Sequence, residues 1–142
     1  MHNTSDFLTQ VIYDLAARPE LVEELRREII SVKQQYPWNK AAFFNLKLMD
    51  SVMKESQRLK PTGIVTKRRG ADATIELPDG LTVQKGDLVM VSTFNHRNPE
   101  IYPNPDEFDP YRFRKMLETP DQWKAAHLVS TSENHLGFGH GT

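Results

Sequence analysis

The chain has 142 residues, 18 Lys and Arg against 19 Asp and Glu, and a formal net charge of −1. That is one ordinary domain at most, and the balanced charge argues against a nucleic-acid binder that works by phosphate neutralisation. It contains no cysteine, which excludes disulfides, zinc–thiolate sites, iron–sulfur clusters and a cysteine nucleophile within these residues.

The first residues, Met1-His2-Asn3-Thr4-Ser5-Asp6, lack the basic and apolar regions of a signal peptide. Phe7, Leu8, Val11, Ile12 and Leu15 then recur at helical spacing and predict an amphipathic first helix. Pro19 suits the first position of a second helix, with Glu20, Glu23 and Glu24 near its start and Arg26, Arg27 and Lys33 later. Leu21, Leu25, Ile29 and Val32 form the buried line of that helix. Tyr36-Pro37-Trp38-Asn39 reads as a loop, and a third helix is expected from about Asn45 to Leu59, stopped by Pro61 and Gly63.

Short β-prone runs follow at Ile64–Thr66, Thr74–Leu77, Leu81–Val83 and Leu88–Val91. Pro78-Asp79-Gly80 and Lys85-Gly86-Asp87 separate them as turns, which predicts a small antiparallel hairpin system. Asn98 to Pro110 carries four prolines in 13 residues and forms neither a regular helix nor a central strand. A loop of that length is expected to be functional or wrapped on a partner surface. No run of about 18 apolar residues predicts a transmembrane helix. The hydrophobic content of 38% is mildly low for a complete, well-cored domain and suits part of a larger one.

Three constellations stand out. Glu55 and Arg58 form an i,i+3 pair on the third helix. With Leu48 as zero and about 100° per residue, Glu55 falls near −20° and Arg58 near −80°, at the edge of the apolar stripe. A carboxylate there needs pairing and hydrogen bonds; the alternative is an exposed ion pair worth a few tenths of a kcal/mol. Phe108-Asp109-Pro110-Tyr111-Arg112-Phe113 offers two aromatic anchors and a guanidinium able to grip a carboxylate, or else an arginine that faces solvent. Phe138-Gly139-His140-Gly141 permits close backbone approach, or else is a flexible tail.

In this order and spacing the three resemble the C-terminal third of a cytochrome P-450, and the resemblance covers essentially the whole chain. Glu55-Ser56-Gln57-Arg58 resembles that family's K-helix Glu-x-x-Arg, and Arg112 its meander arginine. The terminal glycines are similar to the start of the haem loop, Phe-x-x-Gly-x-x-x-Cys-x-Gly. Tyr13–Glu20 and His96–Pro103 also match. The resemblance implies a mainly α fold with a small antiparallel β part: the end of the central helix, the following helices, the K helix, β hairpins and the meander. Residues 1–142 would form a partial domain with an incomplete haem-binding loop.

It also implies roles. Glu55, Arg58 and Arg112 would form a structural triad. Arg69 would pair with a haem propionate, or be a surface charge within Lys67-Arg68-Arg69. Phe138 would pack on haem near the ligating sulfur, and His140 would lie at the porphyrin edge or in solvent. Asn3 and Thr4 fall at the oxygen groove, with Asn3 where a proton-relay threonine is expected. The iron-ligating cysteine falls three positions beyond Thr142, so no metal ligand is assigned and the chain alone is expected to be inactive and not to bind haem. The intact relative, similar to fungal secondary-metabolism members, would be a monooxygenase at the endoplasmic reticulum membrane. It would take electrons from NADPH through a cytochrome reductase and oxidise a small organic molecule. This chain carries no anchor and is expected in the cytoplasm. An alternative is a non-catalytic interaction module that pairs through unpartnered apolar helix faces.

Overall fold

The computed structural model describes residues 2–138 and 140, with backbone alone for His2 and Thr66; Gly139, Gly141 and Thr142 lie outside the described residues. Helix α1 (His2–Ala16) is followed by α2 (Pro19–Gln35), α3 (Lys40–Phe44) and α4 (Lys47–Leu59). The strands are β1 (Val65–Gly70), β2 (Ile75–Glu76), β3 (Thr82–Val83) and β4 (Leu88–Ser92). A 3-10 turn covers Phe94–Arg97, and two short helices, α5 (Arg112–Met116) and α6 (Trp123–Ala126), come after the meander.

Pro19 opens α2, where its missing N–H has no helical partner to lose. The α2 stripe meets α4: Leu21, Leu25, Leu48 and Val52 form one core cluster, with Phe108 and Tyr111 of the meander packed against it. Val32, Ala42 and Leu46 form a second. Of the expected α1 stripe only Val11 is fully buried; Phe7 and Leu15 are half-buried, and Leu8 and Ile12 are exposed. The stripe is wider than the surface that α2 and α4 offer it.

The helix expected from about Asn45 to Leu59 is α4, which starts at Lys47; what the sequence did not show is the short helix α3 just before it. Asn39 caps α3, accepting from Ala41 N at 2.9 Å, and Asn45 ends it. Leu46 leaves helical geometry (φ −80°, ψ 66°) and buries its side chain beside Val32 and Ala42. Glu28 of α2 then accepts the N–H groups of Leu48 (2.7 Å) and Met49 (3.0 Å), so its carboxylate starts α4 from outside the helix.

The β part is a ribbon inside a ribbon. β1 pairs antiparallel with β4, and β2 with β3 between them. Gly80 and Gly86 take positive φ at the turns, where a side chain would be strained. β1 extends beyond the expected Thr66 through Lys67, Arg68 and Arg69, with a register shift before Arg69. The charge run hid this strand, but a ribbon exposed on both faces tolerates it. The short helices α5 and α6 were not expected because four or five residues carry no periodic stripe. Arg112, placed on a loop by the sequence, is the first residue of α5.

Glu28→Ala should remove the carboxylate that caps the start of α4. The expected loss is about 1 kcal/mol of unfolding free energy in urea titration, and Glu28→Gln, which keeps one acceptor, should lose less.

Candidate functional site

The last two turns of α4 bury an uncommon set of side chains. Ser51, Lys54, Glu55, Ser56, Gln57 and Arg58 are all buried, although every one of them is polar or charged. Ser51 Oγ donates to Pro110 O (2.7 Å) and accepts from Arg114 N (3.0 Å), so one hydroxyl seats the start of α5. Lys54 Nζ donates to the carbonyls of His127 (2.6 Å) and Ser130 (2.7 Å). Burial lowers its amine to about 8, against the opposing pull of Asp50.

Glu55 and Arg58 have no exposed side-chain surface, and Arg112 has 10%. Arg58 meets the carboxylate with two bonds, Nε to Oε2 and Nη2 to Oε1, both 2.8 Å. Arg112 Nε reaches Oε1 at 3.1 Å and Asp109 N reaches it at 3.0 Å. The structure therefore brings Glu55, Arg58 and Arg112 together, and the exposed-pair alternative for α4 does not hold. Each guanidinium spends its remaining N–H groups on backbone carbonyls. Arg58 donates to His96 O (2.7 Å), Pro105 O (2.6 Å) and Glu107 O (3.2 Å). Arg112 donates to Pro103 O (2.7 Å) and Asn104 O (3.3 Å). The proline-rich stretch thus obtains from two arginines the hydrogen bonds that a sheet or helix would supply. Arg97 adds a third tie: it pairs with Asp106 and donates to Leu59 O at 3.0 Å.

Next to the triad lie residues that the sequence did not single out. The imidazoles of His96 and His135 stack at 4.7 Å and 10°, both buried. His96 Nε2 accepts the Leu136 N–H at 2.9 Å, and His135 Nε2 meets Gln57 Oε1 at 3.0 Å. Burial and the nearby cations of Lys54 and Arg58 lower both imidazoles, His135 to about 2. Tyr102 donates to Asn134 O (3.1 Å), and its phenol is pushed up to about 12 by burial. A helical wheel puts Lys54 outside the apolar stripe, and although His96 opens a segment that resembles the family, nothing in it points to His135, 39 residues later.

A cavity of about 900 Å³ opens beside Gln57. Asn3, Thr4 and Phe7 of α1 line it, with Thr62, Val65, Lys67, Arg68 and Arg69 around β1 and Leu136, Gly137 and Phe138 from the terminal segment. Asn3, Thr4, Arg69 and Phe138, four of the residues singled out in the sequence, share this wall. His140 is not among its lining residues; its Nδ1 meets Thr131 Oγ1 at 3.2 Å. Arg69 Nη1 donates to Arg68 O at 2.9 Å. Among the described residues no group of three or more His, Cys, Asp or Glu could hold a metal ion, and no helix is long and apolar enough to cross a membrane.

The family model described as cytochrome P-450 matches residues 1–142. The chain is 62% identical to the cytochrome P-450 monooxygenase olcG of Penicillium canescens over 99% of this chain and 29% of that protein. It is 56% identical to the cytochrome P-450 monooxygenase prhN of Penicillium brasilianum, over 100% of this chain and 27% of that protein. The chain therefore spans less than a third of the length of these curated relatives. A zebra fish cytochrome P-450 structure with progesterone superposes with a TM-score of 0.76 at 27% identity, over 99% of this chain and 29% of that one. The family uses haem. The cavity fits part of that group: Phe7, Val65, Leu136 and Phe138 give apolar contact, and Lys67, Arg68 and Arg69 give cations for carboxylates. The iron is not matched, since the sequence has no cysteine to supply a thiolate.

Two predictions follow from this geometry. Glu55→Ala should leave two guanidinium groups without their shared anion and cost about 3–5 kcal/mol in chemical denaturation. Acid should also weaken the fold. His96 and His135 are neutral when buried, whereas in the unfolded chain they take up protons below about pH 6.5. The unfolded state then binds more protons, so stability is full above that pH and falls below it. The expected slope is about 1.4 kcal/mol per pH unit for each histidine involved, measured by urea titrations from pH 7 to pH 4, and His135→Phe should flatten it.

Proposed function

The chain belongs to the cytochrome P-450 family, and from that premise we propose that it forms the C-terminal third of a haem-thiolate monooxygenase. The full-length protein is read as acting on a small organic, secondary-metabolite substrate, with electrons from NADPH through a reductase at the endoplasmic reticulum membrane. Haem, when bound with its thiolate, supplies the oxygen chemistry. This chain's residues supply surroundings for it. Asn3 and Thr4 stand at the oxygen groove, where an amide at position 3 hydrogen-bonds but relays protons poorly. Arg69 pairs with a carboxylate of the cofactor. Phe138 gives an apolar face near the iron ligand, and His140, exposed and bonded to Thr131, is read as the solvent-facing residue that the sequence offered as its alternative. Glu55, Arg58 and Arg112 hold the meander and do no chemistry themselves.

The observation that carries this reading is the shared wall: Asn3, Thr4, Arg69 and Phe138, far apart in sequence, line one cavity. By itself the 142-residue chain is read as inactive and haem-free, because it contains no thiolate ligand.

One experiment with two arms tests both statements. Residues 1–142 are grafted in place of the matching segment of the Penicillium canescens relative, and the chain is also expressed alone with haem supplied. Reduced samples are treated with carbon monoxide. The graft should give the Soret shift of a haem thiolate and retain turnover; the isolated chain should give no such shift. Loss of haem from a folded graft contradicts the family role of these residues. A haem-thiolate spectrum from the isolated chain contradicts its inactivity.

A further inference from the structure

The last described segment is clamped from two sides at residues 135–137. From the 3-10 turn, His96 Nε2 accepts the Leu136 N–H at 2.9 Å. From α4, Gln57 meets His135 Nε2 at 3.0 Å through its side-chain oxygen. The same Gln57 fills the space beside Gly137 that a side chain would need, since an added Cβ would fall 2.1 Å from Oε1. Gln57 is buried and bonded, so it has little room to yield. His96 is itself held, because Arg58 Nη1 donates to its carbonyl at 2.7 Å. The Glu55 network is thereby continuous with the wall of the cavity: Arg58 holds His96, His96 holds Leu136, and Phe138 follows two residues on.

We infer that His96, with Gln57, is a positioning residue that fixes the backbone of Leu136 and Gly137 and so sets Phe138 on the cavity wall. The inference rests on the proposed cofactor reading of that wall. It requires one tautomer. His96 Nε2 must offer a lone pair to the Leu136 N–H, so the proton sits on Nδ1. The opposite tautomer would set two donors against each other at 2.9 Å. His96 Nδ1 is buried and has no hydrogen-bond partner among the described residues. An unmet donor of this kind is costly. It is retained here because the alternative would also orphan a buried backbone N–H. The His135 ring stacked on His96 and the Phe113 ring edge-on to His135 at 5.7 Å keep the imidazole in the required plane.

The test uses the 142-residue chain and two variants. His96→Gln keeps an acceptor near the position of Nε2; His96→Phe keeps a ring for stacking but no acceptor. Nitrogen chemical shifts should show His96 Nε2 unprotonated in the wild type at pH 7. The Leu136 amide should exchange about fivefold faster in His96→Phe, the effect of one lost hydrogen bond, and His96→Gln should recover most of the protection. The Phe138 ring resonances should move in the Phe variant and return in the Gln variant. A purely space-filling role predicts the reverse order, with Phe tolerated and Gln not. A proton on Nε2, or unprotected Leu136 in the wild type, overturns the inference even where a variant fails to fold. None of these readouts involves haem, so their failure leaves the cofactor reading standing. A haem-free graft leaves the clamp measurable.

Discussion

A carboxylate with no exposed surface is the constraint around which this chain is arranged. Glu55 cannot be buried as an anion unless its oxygens are filled, and they are filled by Arg58, Arg112 and the Asp109 N–H. The two arginines bring the same problem with opposite sign, since their remaining N–H groups also leave water. They meet carbonyls of His96, Pro103, Asn104, Pro105 and Glu107. Apart from His96, which lies in the 3-10 turn, those carbonyls belong to a proline-interrupted stretch with no ladder of its own. Each side solves the other's desolvation, so the meander conformation and the helix charge depend on one another.

The same logic extends along α4. Ser51, Lys54 and Gln57 place hydroxyl, ammonium and amide groups against backbone or histidine that would otherwise be unpaired. A polar helix face has become a scaffold for irregular chain: the start of α5, the 127–130 loop and the 135–137 segment each take a bond from it. Buried arginines are suited to this work, because a guanidinium stays charged and offers a planar fork of donors. A lysine is less suited, and Lys54 shows the cost in its lowered amine.

Much of this was legible before any coordinates. Periodicity located α2, whose stripe is buried at Leu21, Leu25 and Val32 and half-buried at Ile29. Turn residues located the inner ribbon, through Pro78-Asp79-Gly80; Lys85-Gly86-Asp87 is a turn as read but joins β3 to β4, which pair with other strands. The wheel put Glu55 at the edge of the apolar stripe, against its charge. What escaped has a common cause, in that the partners are distant in sequence. The break at Leu46 depends on Glu28, about twenty residues earlier. Lys54 finds its carbonyls beyond position 126, and the His96–His135 stack joins two segments with no shared motif. Apolar periodicity reports only how one element meets a surface. A buried polar group reports its partner only once the chain is folded.

The measurement closest to the central claim is a double-mutant cycle on Glu55→Gln and Arg112→Ala, read by urea denaturation of the 142-residue chain at pH 7. If Glu55 ties the meander to α4 through Arg112, the two changes are non-additive, with a coupling of about 1–3 kcal/mol. Additivity within about 0.5 kcal/mol would mean that the two groups act independently, and the account of the carboxylate as the shared anchor would be wrong.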